Sequence, residues 1–108
     1  MKAIVAGADP EGIGEELEAL GVTIERVGSP VFADALAEAG IEDAELFVLT
    51  DLDEGISITL AKEANEDVRA VGYGEGSLPE SVGSVVDLVV DPSLLDAETV
   101  AEELVAEL

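Results

Sequence analysis

Five short apolar runs alternate with segments of helical periodicity, and this alternation most constrains the fold of the chain. The runs are rich in Val and Ile, and most are apolar at consecutive positions, so both faces are expected to be buried. Such strands are typical of a parallel sheet covered by helices on both sides. The predicted strands are residues 2–7, 22–27, 45–50, 68–73 and 85–90.

The segments between the runs predict amphipathic helices, because their apolar residues recur three or four positions apart. The predicted buried faces are Ile13, Leu17 and Leu20; Phe32, Ala35, Leu36 and Ala39; and Ile56, Leu60 and Ala64. The last helix should be the longest. Its stripe is expected to dock on the protein's own sheet or to form a homodimer seam, and it consists of Ala97, Val100, Ala101, Leu104 and Leu108.

Capping and stop residues predict where these helices begin and end. Gly21 and Gly40 should close the first two helices, and Ser29-Pro30 should open the second. For the later helices the expected signals are Asp53 as the cap of the third, Ser77 with Glu80 as a capping box for a short fourth, and Asp91 or Ser93 as the start of the last.

Together these elements predict a single domain, residues 1–108, with a three-layer Rossmann-like α/β fold. Right-handed crossovers favour a five-stranded, mostly parallel sheet in the order 2-1-3-4-5. Ligands of such sheets bind at the carboxyl ends of the strands. Those ends are expected at residues 7–12, 26–29, 50–54 and 72–76 and at Asp91.

The charge is strongly acidic: 26 Asp and Glu against 4 Lys and Arg give a net charge of −22. The acids are spread along the chain, and 48% of residues are hydrophobic, which argues against disorder. At molar salt the screening length falls to about 3 Å, so scattered surface carboxylates repel one another little. We therefore expect a protein from the cytoplasm of an extreme halophile. Nucleic acid is excluded as a partner, because its binding needs a basic surface. No apolar run predicts membrane insertion.

The chain has no Cys and no His, which excludes disulfides, thiolate nucleophiles, Ser-His-Asp chemistry and His/Cys zinc sites. Asp51, Asp53 and Glu54 follow the third strand and offer oxygen ligands for a hard cation. In so acidic a chain such a trio arises easily, and no metal site and no catalytic residue is assigned. A small acid-base enzyme that uses Asp51 or Asp53 on an unknown substrate stays an alternative.

The stretch "VAGADPEGIG", residues 5–14, partly matches the dinucleotide-binding pattern G-x-G-x-x-G. Gly7 and Gly12 fit the outer glycines, but Asp9 replaces the middle one. A carboxylate about 4 Å from a phosphate would repel it by roughly 4 kcal/mol at an effective dielectric constant near 20. Two interpretations stay open: a turn capped by Asp9, or a degenerate loop that holds a nucleotide with help from Arg26 at the end of the second strand.

Three stretches carry a family resemblance: "MKAIVAGADPEGIGEEL", "FADALAEAGIEDAELFVLTDLDEGISITLAKE" and "VVDLVVDPSLLDAETVAEEL". They resemble the nucleotide-binding N-terminal domain of Trk-type potassium-uptake regulators, the TrkA-N-like RCK or KTN domain. The resemblance implies a Rossmann-like fold, dimeric assembly, and sensing of NAD(H) or an adenine nucleotide to gate ion transport. By position it implies a phosphate loop of Gly7, Ala8, Asp9 and Gly12, and adenosine-side contacts at Thr50 and Asp51.

From the sequence we expect a stand-alone, non-catalytic Rossmann-like module with a regulatory role and a degenerate dinucleotide-binding loop. The alternative is an NAD(H)- or adenine-nucleotide-binding regulatory subunit linked to potassium transport. The expected partners are a second copy of the chain, a transporter or a regulatory protein. The candidate cofactor-binding residues are Gly7, Ala8, Asp9, Gly12, Arg26, Thr50 and Asp51.

Overall fold

A computed structural model describes residues 1–107 and confirms the predicted fold class. Five strands form one sheet in the order β2-β1-β3-β4-β5, and every neighbouring pair is parallel. The strands are β1 (Lys2–Ala6), β2 (Thr23–Val27), β3 (Leu46–Asp51), β4 (Arg69–Glu75) and β5 (Leu88–Val90). The carboxyl ends of all five strands therefore meet at one edge of the sheet.

Helices cover both faces of this sheet and complete the three layers. They are α1 (Ile13–Ala19), α2 (Ala33–Ala39), α3 (Ile56–Ala64), α4 (Glu80–Gly83) and α5 (Ala97–Glu107). One core lies between the sheet and α1 with α5, and the other lies between the sheet and α2, α3 and α4. Among residues 1–107, none of the helices combines the length and the hydropathy that a bilayer crossing needs.

The central strands explain why consecutive apolar residues predicted the sheet correctly. In β1, Ile4 faces the core under α2 and α3, while Val5 faces the core under α1 and α5. Phe47 and Val48 divide in the same way in β3, and all four side chains are fully buried. A strand with helices on both faces must be apolar on both, and the sequence shows this pattern.

The last helix, α5, packs on its own chain. Ala97, Val100, Ala101 and Leu104 are all buried against α1 and the sheet, and α5 is the longest helix, with 11 residues. This is the first of the two arrangements expected from its apolar stripe, and these four side chains are not free to form a dimer seam. Leu108 lies outside the described residues.

Four predicted core residues are instead at the surface. They are exposed because Leu20 lies just beyond α1, Phe32 and Ile56 lie at helix starts, and Ala64 is the last residue of α3. The buried face of α3 consists of Ser57, Ile58 and Ala61 rather than of Ile56, Leu60 and Ala64. The buried face is therefore displaced from the predicted stripe, and Leu60 packs only partly buried beside it.

Gly21 and Gly40 end α1 and α2 as predicted, with φ of +91° and +87°. Four start signals were wrong. Phe32, not Ser29-Pro30, is the residue before α2, and Gly55, not Asp53, precedes α3. The amide of Ser77 donates to the Asp53 carboxylate, so Ser77 and Glu80 form no capping box. Asp96 accepts from the Thr99 amide and so takes the capping role expected of Asp91 or Ser93.

The fifth strand is shorter than predicted, because residues 85–87 precede it. Val85 and Val86 pack against the core on the α2 and α3 side. The Asp87 carboxylate accepts a hydrogen bond of 2.7 Å from the Ala70 amide at the end of the sheet. The Asp87 amide also donates to the Ala70 carbonyl at 2.9 Å, so Asp87 is tied to β4 through both its side chain and its backbone just before β5 begins.

Candidate functional site

An open cleft of about 700 Å³ lies at the carboxyl ends of the strands. Its walls come from the turns that follow β1, β2, β3 and β4 and from the segment after β5. This is the edge at which the sequence predicted a ligand site. The lining residues are Ala8, Pro10, Glu11, Ser29, Thr50, Asp51, Asp53, Gly74, Glu75, Gly76 and Pro92.

The turn between β1 and α1 is organised around the side chain of Asp9. Its two carboxylate oxygens accept hydrogen bonds from the Ile13 amide at 2.8 Å and the Gly14 amide at 3.0 Å. Asp9 has a left-handed backbone with φ of +52°, which lets its side chain fold back over the start of α1. The carboxylate therefore satisfies two amides that a helix start otherwise leaves free for a ligand or water.

Arg26 neutralises this carboxylate from the neighbouring strand β2. Its Nη1 atom lies 3.1 Å from Asp9 Oδ2. The Asp9 side chain is only 3% exposed, whereas that of Arg26 is 46% exposed. A buried carboxylate needs hydrogen bonds and a counter-charge, and Asp9 has both.

Thr50, at the end of β3, fixes the backbone of the same turn from inside. Its buried hydroxyl donates to the Ala6 carbonyl at 2.7 Å and accepts from the Asp9 amide at 3.2 Å. A Cβ at Gly7, which has φ of +100°, would collide with this hydroxyl. Gly7 is therefore required both for the turn and for the close approach of Thr50.

The structure brings the seven predicted cofactor-binding residues to one region, but they do not all face the same space. Ala8, Thr50 and Asp51 line the cleft. Asp9 and Arg26 are bonded to each other, so the guanidinium predicted to meet a phosphate meets a carboxylate of its own chain. Gly7 and Gly12 supply the positive φ angles of the turn.

The three acids at the end of β3 and just beyond it are held by partners in their own chain. Asp51 accepts from the Asp53 amide, and Asp53 accepts from the Ser77 amide. The Glu54 carboxylate binds the Ser29 hydroxyl at 2.5 Å and the Val31 amide at 3.0 Å. Within residues 1–107, no group of three or more carboxylates is arranged to hold a metal ion.

Sequence reasoning missed Glu54 as a structural residue and Pro92 as part of the cleft wall. Glu54 ties the β2–α2 connection to the turn after β3, two segments separated by more than twenty positions. The sequence carried only a weak signal for this role: a glutamate follows the third strand, and a Ser-Pro pair follows the second. The pairing depends on strand order, which brings these ends together.

The cleft is acidic, and this affects the single tyrosine of the chain. Burial and the nearby carboxylates of Glu11, Asp96 and Asp9 raise the pKa of Tyr73. Its hydroxyl donates a hydrogen bond of 2.8 Å to the Leu95 carbonyl and so links β4 to the segment before α5. Tyr73 therefore stays protonated at neutral pH and acts as a hydrogen-bond donor.

Solved structures with a similar fold include several response regulators. An orphan response regulator of H. pylori matches with a TM-score of 0.72 and 12% identity, over 98% of this chain and 94% of that one. A Burkholderia pseudomallei response regulator with a phosphorylated aspartic acid, calcium ion and citrate matches with a TM-score of 0.60 and 20% identity, over 99% and 72%. Response regulator TrrA in complex with histidine kinase ThkA matches with a TM-score of 0.62 and 19% identity, over 99% of this chain and 97% of that one.

At the sequence level, a family model described as "Family of unknown function (DUF7126)" matches residues 3–104. No curated protein matches the sequence. The resemblance to Trk-type RCK domains is therefore wrong, and the nucleotide-binding and potassium-transport roles that it implied lose their support. The quoted stretches are strands, a glycine turn and amphipathic helices, which many doubly wound folds share.

Proposed function

The chain belongs to the DUF7126 family, and we propose that it is a non-catalytic regulatory module that acts by binding another protein. In this proposal the strand-end cleft holds no nucleotide. The proposal depends on one observation above all: the Asp9 carboxylate occupies the free amides of the turn between β1 and α1. We call this the closed turn.

The closed turn argues against a nucleotide because its binding groups are already used. A dinucleotide loop offers backbone amides at a helix start to a diphosphate. Here the amides of Ile13 and Gly14 donate to Asp9, and Arg26 supplies the positive charge. A phosphate would have to displace a buried carboxylate that makes three hydrogen bonds.

The charge of the cleft argues in the same direction. Four carboxylates line it, from Glu11, Asp51, Asp53 and Glu75. No Lys or Arg is among the described lining residues. Anionic ligands and anionic transition states need positive charge or metal ions nearby, and these walls provide negative charge instead.

The comparisons support a regulatory role at the level of the fold. Response regulators are among the similar structures, and one of them was solved in complex with a histidine kinase. That complex is a property of that protein. For this chain we propose the broader statement, that a doubly wound domain of this shape works through a protein partner.

One similar structure carries a phosphorylated aspartic acid and a calcium ion, and in this chain Asp51 is an aspartate at the end of β3 that lines the cleft and on which such chemistry can be tested. Its Oδ1 atom accepts from the Asp53 amide, and Asp53 and Glu75 line the same cleft. A phosphoryl group adds about two negative charges, and these neighbours would repel it. We propose that the module acts without phosphorylation of Asp51.

Thermal unfolding in about 1 M KCl, where surface repulsion is screened, tests the absence of a nucleotide. The protein is heated with NAD, NADH, ATP, ADP or AMP, and no rise in Tm is expected. A ligand at 100 times its Kd would add about 2.7 kcal/mol and would be detected readily. A dinucleotide-binding enzyme that is stable in the same salt serves as the positive control.

A saturable rise in Tm with any of these nucleotides would contradict the proposal. Phosphorylation is tested separately, by incubating the protein with acetyl phosphate and Mg²⁺ and measuring its intact mass. We expect no added phosphoryl group. An adduct that is present in the unaltered protein and absent from Asp51→Asn would overturn this part of the proposal.

A further inference from the structure

A second groove, of about 510 Å³, lies beside the edge strand β5 and has an apolar floor. We call it the β5 groove. It is lined by Leu52, Gly74, Glu75, Gly76, Val89, Val90, Asp91 and Ser93. It shares Gly74, Glu75 and Gly76 with the strand-end cleft, and its other lining residues come from β5 and from the segments after β3 and β5.

The groove exists because the sheet is incompletely covered at this edge. Helix α4 has only four residues, and its buried residue Val82 belongs to the core under α2 and α3. Gly72 of β4 pairs with Val89 of β5 and has no side chain to fill the space above them. The Leu52 side chain lies over Gly72 instead, since a Cβ there would come within 2.8 Å of Leu52 Cδ2.

Large apolar side chains are exposed at this place. Val89 is 46% exposed on the groove floor, and Leu94, which follows the lining residue Ser93, is 78% exposed. A single exposed leucine is ordinary on a protein surface. Val89 on the floor lies at one concave site with buried Leu52, and exposed Leu94 directly follows a lining residue, so these side chains offer an apolar contact area for a partner.

The charges around the groove identify the kind of partner. Its rim carries Glu75 and Asp91, and the Ser93 amide and hydroxyl hold the pKa of Asp91 below its ordinary value, so the rim stays negative. The four basic side chains of the protein are already engaged elsewhere: Lys2 with the Gly40 carbonyl, Arg26 with Asp9, Lys62 with Asp87, and Arg69 with Glu107.

A second copy of the chain is a poor occupant of this groove. The rim carboxylates of one copy would meet an acidic surface on the other, whose four basic side chains are already engaged, and salt screens charges in close contact less than distant ones. In a partner with basic residues beside an apolar side chain, the apolar side chain would pack on the groove floor and the basic residues would pair with the rim carboxylates. We propose that the β5 groove binds a segment of another protein in which one or two large apolar side chains are flanked by Lys or Arg.

This inference rests on the proposed function and adds the surface and the chemistry of the partner. The probe is a fluorescently labelled synthetic peptide of Leu and Lys, spaced to form one apolar and one basic helical face. A matched peptide carries Glu in place of each Lys. Fluorescence anisotropy in about 0.5 M KCl, where nonspecific attraction is largely screened, should show saturable binding of the Lys peptide only.

Variants locate the binding surface. Val89→Ser with Leu94→Ser should weaken binding by about tenfold or more, because buried apolar anchors dominate such contacts. Phe32→Ser is the matched control, since Phe32 is 62% exposed but lies at the start of α2. It should change the affinity by less than about twofold, which is less than about 0.4 kcal/mol. Far-ultraviolet circular dichroism checks that each variant is folded.

The inference is overturned if the two groove substitutions leave the affinity unchanged, or if Phe32→Ser weakens binding equally, because the attraction would then be diffuse. A dimer in sedimentation equilibrium that Val89→Ser dissociates would also overturn it, by making a second copy the occupant. These outcomes are independent of the nucleotide and phosphorylation tests. Failure at the groove with no nucleotide effect would leave a non-catalytic module with another binding surface.

Discussion

The Asp9 carboxylate lies 3.1 Å from the Arg26 guanidinium and at the same time accepts hydrogen bonds from the Ile13 and Gly14 amides. One side chain thus joins the turn after β1, the start of α1 and the end of β2. It carries negative charge into the place where a helix start would favour an anion. In the proposed function, stability and the exclusion of a nucleotide therefore depend on the same residue.

Asp9→Asn and Asp9→Ala should separate charge from geometry at this turn. Asn tolerates the left-handed backbone and keeps one acceptor, so we expect a loss of about 1 kcal/mol. Ala removes both acceptors and is strained at φ of +52°, and it should cost about 2–3 kcal/mol. Urea unfolding in KCl, followed by circular dichroism, measures both. Equal losses for the two variants would show that the one acceptor kept by Asn contributes nothing.

Thr50→Val should destabilise the protein by about 2 kcal/mol, although the two side chains have nearly the same shape. The substitution leaves the Ala6 carbonyl and the Asp9 amide without their partner in a buried site. Thr50→Ser keeps the hydroxyl and is the matched control. The free energy of unfolding in urea should rank the unaltered protein above Ser and Ser above Val. A Val variant as stable as the Ser variant would contradict the role given to the hydroxyl.

Tyr73 should ionise only above its ordinary pKa of 10.0 while the protein is folded. It is the only tyrosine, so the ultraviolet absorbance of tyrosinate reports this residue alone. Because the folded-state pKa is raised, the stability it contributes is present below pH 10.0 and is lost as pH rises through the folded-state value. Denatured protein should titrate near pH 10.0, and Tyr73→Phe should lack the transition. Superimposable folded and denatured titrations would contradict this prediction.

Asp87 should make stability depend on acid pH. Burial alone would raise the pKa of Asp87, but hydrogen bonds from Lys62 and the Ala70 amide and the charges of Lys62 and Arg69 outweigh it and lower the pKa. Because the folded-state pKa is lowered, this stability is present above the ordinary value of 3.8 and is lost as pH falls through the folded-state value.

Asp87→Asn is the variant that tests this dependence. At neutral pH it should be less stable than the unaltered protein by about 1 kcal/mol, the upper range for a partly exposed ion pair. The difference should shrink as pH falls below 3.8. Urea unfolding of both proteins at matched pH and salt gives the difference directly. A difference that stays constant across this range would show that the carboxylate charge is not responsible.

The sheet could be predicted from the sequence because burial on both faces of a strand leaves a direct mark on composition. Ile4 with Val5, and Phe47 with Val48, are adjacent apolar residues that face opposite cores. With five strands and right-handed connections, few orders are possible. The observed order is the one predicted.

Helix phases and caps could not be predicted as well, because tertiary contacts decide them. Ile56 and Ile58 are both apolar and both near the start of α3, yet only Ile58 is buried. Ser77 and Glu80 fit a capping box by spacing, but the Ser77 amide binds Asp53 from another turn. Such partners are more than twenty positions apart and leave no local pattern.

The candidate site could be predicted from the sequence only in part. Its place at the strand ends follows from strand order, and its seven candidate residues do gather there. Whether Asp9 closes the first turn depended on Arg26 reaching it from β2. Spacing along the chain left that open, because a side chain at a strand end has several available directions.

The brevity of β5 has a consequence for the behaviour of this protein at high concentration. An outermost strand with long runs of unpaired amides and carbonyls can template cross-β growth by other molecules. Only Leu88–Val90 are in strand conformation at that boundary, and acidic Asp87 and Asp91 stand on either side. At the β5 edge of the sheet the proposed binding groove is therefore left open, while little backbone is offered on which fibrils could nucleate.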